Sequence, residues 1–310
     1  MRRSVTDVLG RGLDSLLANW PLILLKIAAS LISTLIVIGA IVASVVPIAV
    51  SLGIKGADLK TPDDAAQLLI NVLSDHWLAL LIMLAVVSLA LLVVVLLFSF
   101  VEGGVSQIVI DADRKARALQ PARSDYFAFS IDRWMAGARL HWLPIFWIYN
   151  IAWGVAGIVL LVPFTMTLIG ILLAGQRTAA IVVGCAGLAI SLLLAIAVAI
   201  VTSLWCRKAI IVAVAFDRPP MEALREARQQ ILGDLGRHVA VAFVLAAIAF
   251  GAVGLTGIVS MIGSSDPSGV LAVMFIPMQI ILSFVNGILS AAMSIWGAAA
   301  FAALTLEGRP

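Results

Sequence analysis

Apolar runs alternate with short charged stretches along the whole chain. The runs cover residues 21–53, 77–101, 142–175, 178–206, 239–262 and 270–303, and Lys26 is the only charge inside them. A helix rising about 1.5 Å per residue needs roughly 20 apolar residues to cross ~30 Å of hydrocarbon, and every run is longer. A soluble helix would show a charged stripe at helical spacing, which these runs lack. The pattern predicts an all-α membrane protein with six transmembrane helices. The second, fourth and sixth helices are longer than a bilayer needs, so their apolar ends are expected to project beyond the inner leaflet. Pro47, Pro163 and Pro277 are the candidate break points.

Between the runs the periodicity changes. In residues 4–17, Val5, Val8, Leu9, Gly12, Leu13, Leu16 and Leu17 fall on one helical face, with Asp7, Arg11 and Asp14 opposite. Ser4 and Asp7 have the spacing of a capping box, with Asp in place of Glu. In residues 124–140, Ser124 can cap a helix lined by Phe127, Ile131, Trp134, Met135 and Ala138. In residues 219–236, Asp217 and Pro219-Pro220 mark a start, and Met221, Leu224, Ile231 and Leu235 recur at helical spacing. None of the three is apolar enough to span, so each reads as an in-plane amphipathic helix. The chain then parses into three hairpin repeats, units 1–118, 119–218 and 219–310 of a single integral membrane domain. Each unit is an in-plane helix, a span, a turn and a returning span. Trp205 stands as far before Arg218-Pro219 as Trp296 stands before Arg309-Pro310, the clearest internal echo.

Charge sets the expected orientation. Arg2, Arg3 and Arg11 precede the first run. Arg114, Lys115, Arg117, Arg123, Arg133 and Arg139 follow the second, and Arg207, Lys208, Arg218, Arg225, Arg228 and Arg237 follow the fourth. The alternate loops hold only Lys55, Lys60 and Arg177. Basic flanks resist translocation, so both termini are expected in the cytoplasm. The Arg-to-Lys ratio of 15 to 5 and the Ala-rich spans suggest a GC-rich bacterial genome, and hence a bacterial inner membrane. The apolar run after Arg11 is too long for a signal peptide and reads as an anchor. Composition agrees: 63% of residues are hydrophobic and 12% charged, with a net charge of +3. A basic cytoplasmic face favours anionic lipids, with Arg207, Lys208, Arg225 and Arg228 as candidate headgroup contacts. Nucleic acid is not expected, because no stacking aromatics are interleaved with the basic residues.

Candidate chemistry is sparse. Gln279, Ser283, Asn286, Ser290, Ser294 and Gly297 share one face of the sixth span, and Asn150 in the third is a candidate partner. The stripe reads as a packing seam of small and polar residues; a cavity or lipid-groove lining is the alternative. Gly184, Gly187, Ser191 and Ala195 in the fourth span read as packing. Tryptophans 20, 77, 142, 147, 205 and 296 read as interfacial anchors. Cys185 and Cys206 are too far apart along one helix to pair. No nucleophile elbow, phosphate-binding loop or zinc motif occurs, and His76 falls on the opposite side from His141 and His238. Asp111-Ala112-Asp113-Arg114 lacks the flanking spacing of lipid-headgroup transferases. No enzyme, cofactor or metal is expected.

The amphipathic start before Asn19-Trp20-Pro21, a Glu102-Gly103-Gly104 loop, and Trp205 followed by Asp217-Arg218-Pro219-Pro220-Met221-Glu222-Ala223-Leu224 carry a resemblance. Together they resemble the six-helix membrane domain fused to some bacterial glycerophosphoryl diester phosphodiesterases, and its stand-alone relatives. No catalytic domain is expected within these residues, because no soluble segment is long enough to hold one. The resemblance implies an inner-membrane protein that contacts lipids or partner proteins. The function read from the chain is a non-enzymatic scaffold or accessory subunit, with a transporter or permease component as the alternative.

Overall fold

The computed structural model describes residues 3–51, 77–116, 121–173, 177–264 and 270–307. The outer stretch 54–76 and the turn after Ser264 lie outside them. In chain order the helices are α1 (Val5–Ala18), α2 (Pro21–Ser51), α3 (Trp77–Lys115), a short 3-10 helix (Arg123–Tyr126), α4 (Ile131–Leu173), α5 (Arg177–Phe216), α6 (Pro220–Gly233), α7 (Leu235–Ser264) and α8 (Val270–Thr305). Among the described residues five stretches are long and apolar enough to cross a membrane: Pro21–Ser44, Leu80–Lys115, Ile131–Ile171, Val182–Phe216 and Ile280–Thr305. The pair Pro220–Gly233 and Leu235–Gly251, bent by 97°, brings the number to six if it counts as one span. These are the helices of a multi-pass membrane protein.

The chain divides into two compact units, Leu25–Phe98 and the rest. The first holds most of α2 and the start of α3, and Leu31, Leu35, Leu81, Leu84 and Leu89 on these helices are exposed. In the second unit the core sits at one end of the bundle. It consists of the C-terminal tails of three helices: Val101–Ala112 of α3, Cys206–Ala215 of α5 and Ile295–Thr305 of α8, whose apolar side chains are nearly all buried. Further along the same helices the large apolar side chains point outward, as Ile190, Leu193 and Phe284 do. Burial inverts along each helix because the tail is covered by protein, whereas the apolar remainder is suited to lipid.

Local rules set the elements that cover the tails. The Ser4–Asp7 capping box forms, and the Ser4 hydroxyl and amide hold the Asp7 carboxylate below its ordinary pKa. Val8, Gly12, Ser15 and Leu16 of α1 face inward, while Leu13 and Leu17 stay exposed. At the end of α5, Asp217 adopts a left-handed conformation (φ 50°) and the Arg218 amide donates to the Ala213 carbonyl. That is a Schellman stop. Pro219 and Pro220 then start α6, which buries Ala223, Leu224, Ala227 and Ile231 and leaves Arg225 and Gln229 exposed.

Two expectations are corrected. The segment 124–140 is not a separate helix. Ser124 lies in the 3-10 turn, and from Ile131 the chain runs unbroken through Pro144 and Pro163 to Leu173. The Glu102-Gly103-Gly104 segment is not a loop but part of α3. Its glycines are there because α4 comes close: a Cβ on Gly104 would lie 2.7 Å from the Trp134 carbonyl oxygen, and one on Gly103 3.2 Å from that of Gly137. Overpacking of this kind costs about 1–3 kcal/mol. Gly104→Leu is therefore expected to lower thermal stability in detergent by that amount. Gly154→Leu, where an added Cβ meets nothing within 4 Å, should change it little.

Candidate functional site

Three polar constructions hold the end of the bundle together. The first is built on Asn19, which is fully buried. Its Nδ2 donates to the carbonyls of Ser15 (2.8 Å) and Tyr126 (2.9 Å), and its Oδ1 accepts from the amides of Ala128 (2.9 Å) and Phe129 (2.8 Å). One side chain thereby fixes residues 126–129 to the end of α1. The second is an ion cluster on Asp113, at the end of α3. Arg11 reaches it through Nε (3.0 Å) and Nη2 (2.9 Å), and Arg3 at 3.4 Å. The Arg11 guanidinium also lies over the Tyr126 ring, 5.3 Å from its centre. Burial pushes the Tyr126 phenol up to about 12. In the third, Glu307 accepts from Arg237 at 2.7 Å and from the Arg3 amide, while Arg237 also pairs with Asp234.

Two of the six expected anchor tryptophans act differently. Trp20, Trp77, Trp142 and Trp147 are exposed, as interfacial side chains are. Trp205 and Trp296 instead turn inward. The Trp205 indole donates to the Leu224 carbonyl at 2.8 Å and the Trp296 indole to the Leu9 carbonyl at 2.9 Å. Leu9 is the fifth residue of α1 and Leu224 the fifth of α6, two helices of 14 residues each. α8 therefore holds α1 in the same register as α5 holds α6.

Two hollows open beside this end. A small cavity of about 140 Å³ lies between α3, α4, α5 and α8, with Glu102, Tyr149, Ser203, Arg207 and Ser294 among its lining. A larger apolar groove of about 600 Å³ runs between α5, α7 and α8. Its wall is mostly Ala, Leu and Met, with Ser203, Ser290, Ser294 and Arg207 as its polar members. Arg207 lines both hollows. Its Nη1 donates to the Ser294 carbonyl at 3.1 Å, and the same end of the guanidinium points at Gly297, where any Cβ would collide with it. Compared with family models, curated proteins and solved structures, the chain finds no match.

The candidate residues scatter over this geometry. Ser290 lines the groove, Asn286 is half-buried and Ser283 is exposed; the Gln279 side chain lies outside the described residues. Asn150 is exposed and donates to the Phe146 carbonyl of its own helix. In the fourth span, Gly187 is a true packing position, since a Cβ there would lie 2.5 Å from Thr167. Arg225 and Arg228 are exposed on α6 and open to a headgroup. Lys208 is not. It is fully buried, with Nζ donating to the Thr305 hydroxyl at 2.8 Å, so it ties α5 to α8 and is withdrawn from any lipid surface. Sequence reading missed Asn19, the Arg11–Asp113 pair and the inward tryptophans as joints. The only trace was the echo between Trp205 and Trp296.

Proposed function

We propose that the protein is a non-enzymatic scaffold or accessory subunit of a bacterial inner membrane, contacting lipids or a partner membrane protein through its basic, cytoplasmic end. The observation that carries this reading is the placement of the core. Three helix tails are packed and ion-paired into a rigid platform at the end where basic residues concentrate, and a lateral groove opens beside it. Rigid elements with a side-opening groove suit holding a neighbour in the membrane plane. Leu13, Leu17 and Trp20 around α1, and Met221 and Leu232 on α6, are exposed among Arg123, Arg225 and Arg228. Such a rim suits helices lying in the headgroup layer, as the in-plane reading of α1 and α6 requires. The matched Trp205 and Trp296 registers support an internal repeat. The resemblance to the membrane domain of the phosphodiesterases fits the same role.

Affinity purification in mild detergent tests the reading. A stoichiometric membrane-protein partner or specifically retained lipid is expected, and substrate flux in reconstituted vesicles is not. Flux would favour the transporter alternative, for which the 140 Å³ cavity with Glu102 and Arg207 is the structural argument. Orientation is tested separately in a background lacking Cys185 and Cys206. Asp64→Cys and Ser265→Cys should react with impermeant maleimide in intact cells, whereas Ser124→Cys and Gln229→Cys should not. Labelling of the second pair would reverse the topology.

A further inference from the structure

We infer that the groove between α5, α7 and α8 is a phospholipid site, in which Arg207 takes the phosphate and the apolar wall takes one acyl chain. The inference deepens the lipid-contacting reading above and rests on it. The groove has direction. On α5 it runs from Ala199 to Arg207, roughly 12 Å along the helix axis. Its one charged lining residue, Arg207, lies at the α5 end nearer the platform. The opposite stretch is bounded by Ala199, Ala249 and Leu289, deep in the apolar part of the helices. Charged at one end and apolar along its length apart from the Ser203, Ser290 and Ser294 hydroxyls, it matches a lipid standing in a leaflet with its headgroup toward the platform.

The level of Arg207 supports the same occupant. Trp205 and Trp296, at neighbouring positions on α5 and α8, meet the two covering helices there, so the guanidinium lies where the spans pass into the platform. A phosphate at that depth sits at the edge of the hydrocarbon. Arg207 is positioned to meet it: Gly297 lets the guanidinium lie across α8, and Nη1 is anchored on the Ser294 carbonyl. Arginine presents five N–H donors in a planar fork that matches phosphate oxygens. The exposed Ser203 hydroxyl beside it suits the glycerol and ester oxygens. The adjoining small cavity, which shares Ser203, Arg207 and Ser294, gives the rest of the headgroup room. The groove volume of about 600 Å³ lies within the ~300–1,000 Å³ usual for small-ligand sites.

The experiment is native mass spectrometry of the delipidated full chain in mild detergent, titrated with phosphatidylglycerol or with diacylglycerol of the same acyl chains. Saturable binding of one phosphatidylglycerol is expected, with diacylglycerol at least tenfold weaker. Arg207→Gln should weaken phosphatidylglycerol about 10–100-fold, the scale of a lost charge-assisted contact. Ala246→Trp, which fills the groove from an exposed position on α7, should weaken it at least tenfold while leaving the fold intact. Gln229→Ala, on the exposed face of α6, should stay within twofold of the parent. Equal binding of diacylglycerol, or retention within twofold by either Arg207→Gln or Ala246→Trp, overturns the assignment. If Arg207→Gln does not fold, Ala246→Trp alone decides it. None of these outcomes alters whether a protein partner copurifies, so the site and the scaffold reading fail separately.

Discussion

Asn19→Ala is expected to cost about 3 kcal/mol of stability in detergent, more than any other single truncation of an uncharged side chain here. The change removes four hydrogen bonds at once and leaves the amides of Ala128 and Phe129 and the carbonyl of Tyr126 without their side-chain partner. Each buried backbone group left unsatisfied costs about 1–3 kcal/mol. No isostere rescues it. Asn19→Asp keeps the acceptor but loses both donors and places a charge where the side chain has no exposure. Asn19→Leu fills the volume and satisfies nothing. Asn150→Ala is the control, because its amide bonds only a carbonyl of its own helix at an exposed position; it should change stability by less than about 0.5 kcal/mol. Equal tolerance at the two asparagines would show that the 126–129 stretch is held by something other than Asn19.

Asp113→Ala should cost about as much, roughly 3 kcal/mol, for a different reason. It removes the carboxylate shared by Arg11, whose side chain is 10% exposed, and Arg3. Breaking a buried pair by deleting one member costs about 3–5 kcal/mol, and the partial exposure of Arg3 moves the expectation to the low end. Replacing both Arg11 and Asp113 with Leu should recover much of the loss, because most of it is the charge left behind and not the attraction removed. Chemical denaturation of the two single variants and the double variant measures the coupling directly. A double variant as unstable as the sum of the singles would mean that Arg11 acts mainly through the Ala116 carbonyl and the Tyr126 ring.

Much of the frame could be read in the sequence because lipid imposes simple rules. Length of apolar run, the Ser4–Asp7 box and the Pro219-Pro220 start are local signals, and helices form where they point. What escaped was the facing of the helices. A span that is apolar all round has no polar stripe to show which side meets protein, so Lys208 looked like a headgroup contact when its helix turns it into the core. The two glycines after Glu102 signalled a loop by composition, yet their reason is the approach of α4, some thirty residues later in the chain. Arg11 and Asp113 stand about a hundred residues apart, and no spacing rule links them. The groove became visible only with α7 beside α5 and α8, since Ser290 and Ser294 read as seam residues on their own helix.

The contacts of Trp205 and Trp296 also say something about the order of the chain. α5 hands its indole to the helix that follows it, but α8, the last helix, hands its own to the first. Arg3 meets both the Ala303 carbonyl and Glu307, so the described ends adjoin. The tails and their covering helices thus close into a ring whose joints do not depend on where the polypeptide is opened. A circular permutant joined across that contact and cut between Phe216 and Pro220 would keep the Trp205, Trp296, Asn19 and Arg11–Asp113 joints, while making α6 the opening helix and α1 an internal one.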